Sequence, residues 1–244
     1  MKKILILLLI ISANLSSAQE SVLLRLNYEE GATYNVNMKM SQNMGVVMSM
    51  GTNIEMSIKV LEVFEDSYDS EMRFTRMTMD MLQGGNVMSF DSDKSDDELD
   101  EMGKNMKAQM GPMLNAKMLV KGNNLGDIIS LKLDPVVPGM EDFAKQSSTV
   151  VYPEKALREG DSWTTSKTDK GIKMDFVYTV KSITKYKVIL VLSGKITEGA
   201  TGDITGNMVI ERASGIPVNS MMDMNMSVSG QALKSQMSMT ITKQ

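Results

Sequence analysis

Apolar and polar residues alternate along most of this chain. Tyr34, Val36, Met38 and Met40 fall on one side, with Asn35, Asn37 and Lys39 on the other. The same pattern runs through Ile54, Met56, Ile58 and Val60, through Met77, Met79 and Met81, and through Met174, Phe176, Tyr178 and Val180. It returns in Met222, Met224, Met226 and Val228, and again in Met237, Met239 and Ile241. Successive side chains of an extended strand point to opposite faces, so each stretch predicts a strand with one buried face. Between Met72 and Met79 the apolar set moves from even positions (Met72, Phe74) to odd ones (Met77, Met79). A continuous strand does this only by inserting a residue, which predicts a β-bulge near Thr75-Arg76. Turn-forming clusters divide the strands: Glu65-Asp66-Ser67, Gly84-Gly85-Asn86, Gly122-Asn123-Asn124 and Ser214-Gly215.

Two segments carry a helical period instead. Leu99, Met102, Met106, Met110 and Met113 recur at steps of three and four. Ser95 and Glu98 have capping-box spacing, and Asp96 and Asp97 place negative charge on the first turn, where the helix dipole favours it. The pattern predicts a helix from about Asp96 to Met110, ended or broken by Gly111-Pro112. A second short helix is expected over Met140–Ser147, with Met140, Phe143 and Ala144 on its apolar side. The fold class that follows is mainly β with minor α. Two curved antiparallel sheets, pseudo-repeated and arranged as a sandwich or half-open barrel, would carry one or two covering helices. The half-open barrel of periplasmic lipoprotein carriers is a fold-level analogy only.

An internal echo supports the pseudo-repeat. Glu30, Gly31 and Tyr34 align with Glu159, Gly160 and Trp163, each time a glycine turn leading to an aromatic residue at a strand start. Gly85-Asn86 and Gly206-Asn207 extend the echo. The halves are expected to meet near 134–152, with Asp134–Gly139 as the hinge candidate, inside one β-rich domain spanning 19–244. In the echo, Asp161 and Trp163 read as a ligand clamp or, more simply, as a turn with a packed indole; burial of Trp favours the second.

The first residues change the picture of where the protein works. Lys2 and Lys3 precede an unbroken apolar run, Ile4–Ile11, and then the small residues Ser16-Ser17-Ala18. This is the layout of a signal peptide over 1–18, too short to span a bilayer as an anchor, with cleavage expected after Ala18. With no cysteine in the chain, lipid anchoring and disulfides are both closed. An exported protein, periplasmic or extracellular, soluble and without a transmembrane anchor, is expected. The formal charge of −4 and the scattered basic residues make nucleic acid an unfavoured partner.

Candidate chemistry is sparse. The chain has 26 methionines and no histidine. Met222, Met224 and Met226 share a strand face, and thioethers select soft ions, so these three are the candidate Cu(I) or Ag(I) ligands. The competing reading makes the methionines core, because Val36, Ile54 and Ile58 share their stripes and methionine fills irregular apolar space. The acidic run from Asp91 fails the calcium-loop pattern, with Asp96 and Met102 where Gly and Glu are required. Ser182 and Lys185 have Ser-x-x-Lys spacing but sit at a turn, not at the start of a helix. Without histidine or cysteine, neither ordinary nucleophilic catalysis nor an ordinary zinc site is supported. No enzyme activity and no cofactor are expected.

The blocks "LNYEEGATYNVNMKM", "MLVKGNNLGDIIS", "YPEKALREGDSW" and "GDITGNMVIERASGIPVNSMMDMNMSVSG", taken in order, resemble an exported bacterial family of unknown function, the domain-of-unknown-function family six-two-six-three. The resemblance covers nearly the whole chain after residue 18. It implies a β-rich exported domain and carries over no catalytic residue. Three function classes are then open. One is a noncatalytic envelope protein that binds or carries an apolar ligand. Another is a structural or interaction protein of the envelope, with an envelope protein as partner. The third is a methionine-based Cu(I)/Ag(I) binder.

Overall fold

The computed structural model describes residues 20–137, 150–169, 171–228 and 230–244. The expected signal peptide and the expected helix over Met140–Ser147 lie outside these residues, as do positions 138–149 of the expected junction. The strands are β1 (Ser21–Val22), β2 (Thr33–Met44), β3 (Met48–Val63), β4 (Ser67–Gln83) and β5 (Asn86–Asp91). After a 3₁₀ turn (Asp96–Glu98) and helix α1 (Glu101–Leu114) come β6 (Lys117–Asn123) and β7 (Ile128–Asp134). The rest are β8 (Leu157–Arg158), β9 (Ser162–Asp169), β10 (Ile172–Ile183), β11 (Lys187–Glu198), β12 (Thr201–Glu211), β13 (Pro217–Val228) and β14 (Gln231–Lys243).

The described residues are mainly antiparallel β with one α-helix, as the alternation predicts. β1 and β8 form a two-stranded sheet. The other strands form a single 12-stranded sheet in the order β7-β6-β4-β3-β2-β14-β13-β12-β11-β10-β9, with β5 paired to the far end of β4. The last strand, β14, joins the halves by pairing with both β13 and β2. The sheet is not closed into a barrel.

Register places every predicted apolar stripe on one face. Val36 faces Met56 on β3 and Ile241 on β14. Met237 lies between Met40 and Met222, and Tyr178 faces Trp163 at the far edge. The opposite face carries Lys39, Glu55, Lys117, Thr164 and Asp203, which suits water. The apolar face packs as two clusters. One centres on Val180, Val188, Leu190, Ile204 and Ile210. The other centres on Val36, Met56, Val60, Phe74 and Met118. Leu26 packs against both. Each fully buried aliphatic side chain contributes about 1.5–3 kcal/mol relative to exposure.

The bulge forms where the change of parity places it. Glu55 pairs with Arg76 while Met56 pairs with Phe74, leaving Thr75 as the extra residue. Beside it Arg76 makes two hydrogen bonds to the Asp91 carboxylate, 2.8 and 3.2 Å, tying β5 to the bulged strand.

The helix differs from expectation at both ends. The Ser95–Glu98 pair is present, with the Glu98 carboxylate accepting from the Ser95 N–H at 2.9 Å and its hydroxyl at 2.7 Å, but it closes the 3₁₀ turn. The α-helix itself is capped by Asp100, whose carboxylate accepts from the Gly103 N–H at 2.7 Å. Nor does Gly111-Pro112 end it. Pro112 forgoes one N–H bond to the preceding turn, the helix runs only two residues past it, and the Asn115 amide and side chain both donate to the Gly111 carbonyl.

The echo between the halves is partly structural. The Gly31 N–H donates to the Val60 carbonyl at 3.1 Å, and the Val60 N–H returns to Ala32 at 2.9 Å. The Gly160 N–H donates to Val180 at 2.8 Å, and the Val180 N–H returns to Asp161 at 2.9 Å. Both glycines have positive φ, 77° and 89°, which a side chain disfavours. One residue past each valine the ladder skips, at Leu61 and at Lys181. The second limb of the echo fails: Gly85-Asn86 makes the turn between β4 and β5, whereas Gly206-Asn207 lies inside β12.

Candidate functional site

Strands β7 and β14 stand at opposite ends of a six-strand run, which would span roughly 24 Å if flat. Leu131 of β7 and Ile241 of β14 nevertheless line one cavity of about 110 Å³. The sheet therefore curls, and its apolar face is concave. Met38, Met56, Met72, Met118 and Met239 supply much of the cavity wall, together with Val36, Ile58 and Val120. The segment after β1 closes one side through Leu26 and Tyr28. It is fixed by backbone hydrogen bonds, Leu26 to Asn124 and Asn27 to Ser214, both 2.7 Å.

The polar content of this wall is small and internally paired. Tyr28 meets Tyr68 edge-on, 4.6 Å between ring centroids, and Tyr34 at 5.3 Å. The two phenols of Tyr28 and Tyr68 are hydrogen-bonded to each other. Burial raises the Tyr68 phenol to about 12, with the hydrogen bond between them acting the other way. Tyr28 is held well above its ordinary value, first by burial and then by the neighbouring phenols of Tyr68, Tyr152 and Tyr34. Both rings stay neutral over the physiological range. Gly122 is what lets the Tyr68 ring lie flat on β6, since a Cβ there would come within 2.6 Å of it.

Beyond the cavity the concave face continues as methionine. Met40, Met237 and Met222 occupy one row across β2, β14 and β13. Met224 and Met226 follow on β13, and all five side chains are half-buried. The three candidate soft-metal ligands thus share one face, as the alternation requires. They pack against the cluster of the second half, among Val228, Met174 and Trp163. Across the ladder Met222 faces Gly206 and Met226 faces Gly202. Among the described residues there is no group of three or more His, Cys, Asp or Glu that could hold a metal ion.

The remaining candidates resolve into local structure. Trp163 stacks on Tyr178 at 5.2 Å and donates its indole N–H to the Val151 carbonyl at 2.9 Å. Asp161 accepts from the Arg158 N–H at 2.8 Å, completing the Gly160 turn. Ser182 lies in β10, while the Lys185 ammonium sits in the turn over the Tyr186 ring at 5.3 Å. Sequence reasoning missed two features of the concave face. The hydroxyls of Ser220 and Ser235 are buried and have no hydrogen-bond partner among the described residues. Ser220 faces Met239 and Ser235 faces Met224. It missed the Tyr28 wall as well, although Val22, Leu24, Leu26 and Tyr28 alternate and could have signalled an inward-facing segment.

Residues 140–242 match a family of unknown function (DUF6263). The match covers the second half of the sheet with β14, a narrower span than the resemblance implies. A solved structure described as "Lipid-protein interactions in lipovitellin" has a similar fold, with a TM-score of 0.54 and 12% sequence identity. That similarity covers 89% of this chain but 26% of the lipovitellin chain, so this protein spans about a quarter of it. No curated protein matches the sequence. Among the described residues no helix is long and apolar enough to cross a membrane.

Proposed function

We propose that this protein is a noncatalytic binding or carrier module for an apolar ligand, and that the ligand lies along the methionine-lined concave face. The observation that carries the reading is the cavity between the Tyr28 segment and the curled sheet, continuous in register with the half-buried row Met40–Met237–Met222. At about 110 Å³ the cavity is smaller than the roughly 300–1,000 Å³ of sites for drug-sized ligands. It is comparable to the apolar voids that stay dry and take one small ring. A longer chain is admitted by rotation of methionines, whose three soft torsions and polarizable sulfurs let a wall re-form around an irregular occupant. The unpartnered hydroxyls of Ser220 and Ser235 offer hydrogen bonds to a polar group on an otherwise apolar molecule. Likeness to a lipovitellin fold is consistent with this reading at the level of fold alone.

The test is displacement of a fluorescent fatty acid and native mass spectrometry of the delipidated protein. Saturable binding is expected. Val120→Trp fills the cavity and should weaken it at least about tenfold while the β signal in circular dichroism persists. Absence of binding, or equal binding by the Val120→Trp variant, removes the cavity as the site.

A further inference from the structure

Three hairpins at one end of the sheet differ from the rest of its perimeter, including the β9–β10 and β11–β12 hairpins of the same end, which carry Asp169, Lys173, Lys195, Glu198 and Asp203. From Met40 to Ile54, from Met81 to Phe90 and from Met224 to Leu233 no residue is charged, in a chain that is 23% charged. These segments are the β2–β3, β4–β5 and β13–β14 hairpins. Strands β4, β3, β2, β14 and β13 are consecutive in the sheet, so the three tips are neighbours. The hydrogen bond from the Gly84 N–H to the Val47 carbonyl, 3.4 Å, joins two of them directly. At their crest Val46 and Val87 are exposed by 102% and 76%, with Val47 and Leu82 about half exposed beside them. The opposite end of the sheet carries Glu65, Asp66, Asp127, Lys185, Lys187, Glu211 and Arg212 in its turns.

We propose that this uncharged rim docks on the surface of a neutral phospholipid bilayer, with Val46, Val47, Leu82 and Val87 entering the acyl boundary. The inference rests on the apolar-ligand reading, because it names the source from which that ligand is received. Three observations select a bilayer over a protein. The exposed crest is aliphatic and has no Trp, Tyr or Arg, the residues that anchor protein interfaces. Charge, the feature that hydrocarbon penalises most, is the feature missing across all three hairpins. And the apolar stripes run from the rim to the cavity without a charged residue. On β2 the inward positions are Met44, Gln42, Met40 and Met38, and on β3 they are Met48, Met50, Thr52 and Ile54. On β4 they are Met81, Met79 and Met77. A lipid tail leaving the bilayer at the rim meets mainly thioethers, interrupted by the uncharged Gln42 and Thr52. Lys234 flanks the tips in the row of Asn43, but the three crests themselves hold no basic residue, so their attachment is hydrophobic rather than electrostatic.

Co-sedimentation of the purified chain with phosphatidylcholine vesicles tests this. Binding is expected, unchanged when salt is raised to about 0.5 M, where charge interactions are screened, and unchanged when phosphatidylglycerol is added. Val46→Asp with Val87→Asp should weaken vesicle binding at least about tenfold. The same variant should bind the monomeric fluorescent fatty acid as the parent does, because neither valine lines the cavity. No binding of the parent to vesicles overturns the proposal, as does loss of binding in high salt or undiminished binding by the variant. A parent dimer in solution that the variant splits would reassign the rim to self-association. Failure of fatty-acid binding by the parent would instead count against the carrier reading, whatever the vesicles show.

Discussion

Val60 and Val180 hold equivalent places in the two halves of the sheet. Each is fully buried, each exchanges two backbone hydrogen bonds with a glycine turn that opens its half, and each is followed by a skipped residue in the ladder. Similarity at this level comes from backbone geometry, so it survives where the side chains have diverged from Tyr34 to Trp163.

The glycine turns should be sensitive in the same way. Gly31→Ala and Gly160→Ala each place a Cβ on a residue with positive φ, which costs about 1–2 kcal/mol. No neighbouring atom would meet that Cβ at either position, so strain is the only loss expected. Thermal unfolding should show each variant lowered by roughly 2–8 °C. The double variant should be near additive, because the sites lie in different clusters. A drop at one position alone would show that only one half uses the turn for stability.

Buried phenols make the fold sensitive to alkali. Tyr68 is raised to about 12, and Tyr28 and Tyr178 are also raised, in each case chiefly by burial. An unfolded tyrosine ionises near pH 10. The folded state therefore holds protons that the unfolded state releases, and stability from these groups is complete below about pH 10 and lost as pH rises through about 12. Tyr68 alone contributes on the order of 2–3 kcal/mol to that loss. Urea midpoints measured at about pH 9 and pH 11 should fall steeply for the parent. Tyr68→Phe should show a shallower fall, with some stability lost at every pH because the Tyr28 phenol loses its hydrogen-bond partner.

Peroxide should read the two faces of the sheet. Met102 on α1 and Met221 on the outer face of β13 are about half exposed and should be oxidised first. Met56 and Met239, both buried, should react last, and the fold should fail cooperatively when they do, because a sulfoxide places a polar group inside the apolar cluster. The half-buried Met38, Met79 and Met174 should fall between. Peptide mapping of partly oxidised, still-folded protein gives the order. Early oxidation of Met56 with the β signal retained would contradict the concave assignment.

Legibility in the sequence followed the range of the interaction. Strands came from a period of two, and the Thr75 bulge from one shift of parity, because register acts through neighbouring residues. The methionine face was visible for the same reason. The order of strands was not, since nothing near Met237 announces that it lies beside Met40. The cavity depends on Tyr28, Tyr68 and Gly126, which come from three elements that meet only when the sheet curls. Pro112 misled by two residues: one lost N–H bond did not stop the helix from running on to Leu114, where the Asn115 cap closes it. The uncharged hairpin tips were present in the sequence throughout, but their meaning appeared only when three distant segments proved to be neighbours.

The pairing of β2 with β14 fixes an order in time. Asn35 and Gln244, hydrogen-bonded across this seam, are 209 residues apart. On a growing chain β2 and β3 can form their hairpin early, but one edge of β2 must wait for β14 to be made. Until then a row of free backbone groups, flanked by Met38 and Met40, is open to any other strand. Contacts of such long range also close slowly. The strand that begins the large sheet is thus the last of its neighbours to be enclosed, and whatever shields unfolded chains from each other must cover β2 until β14 is in place.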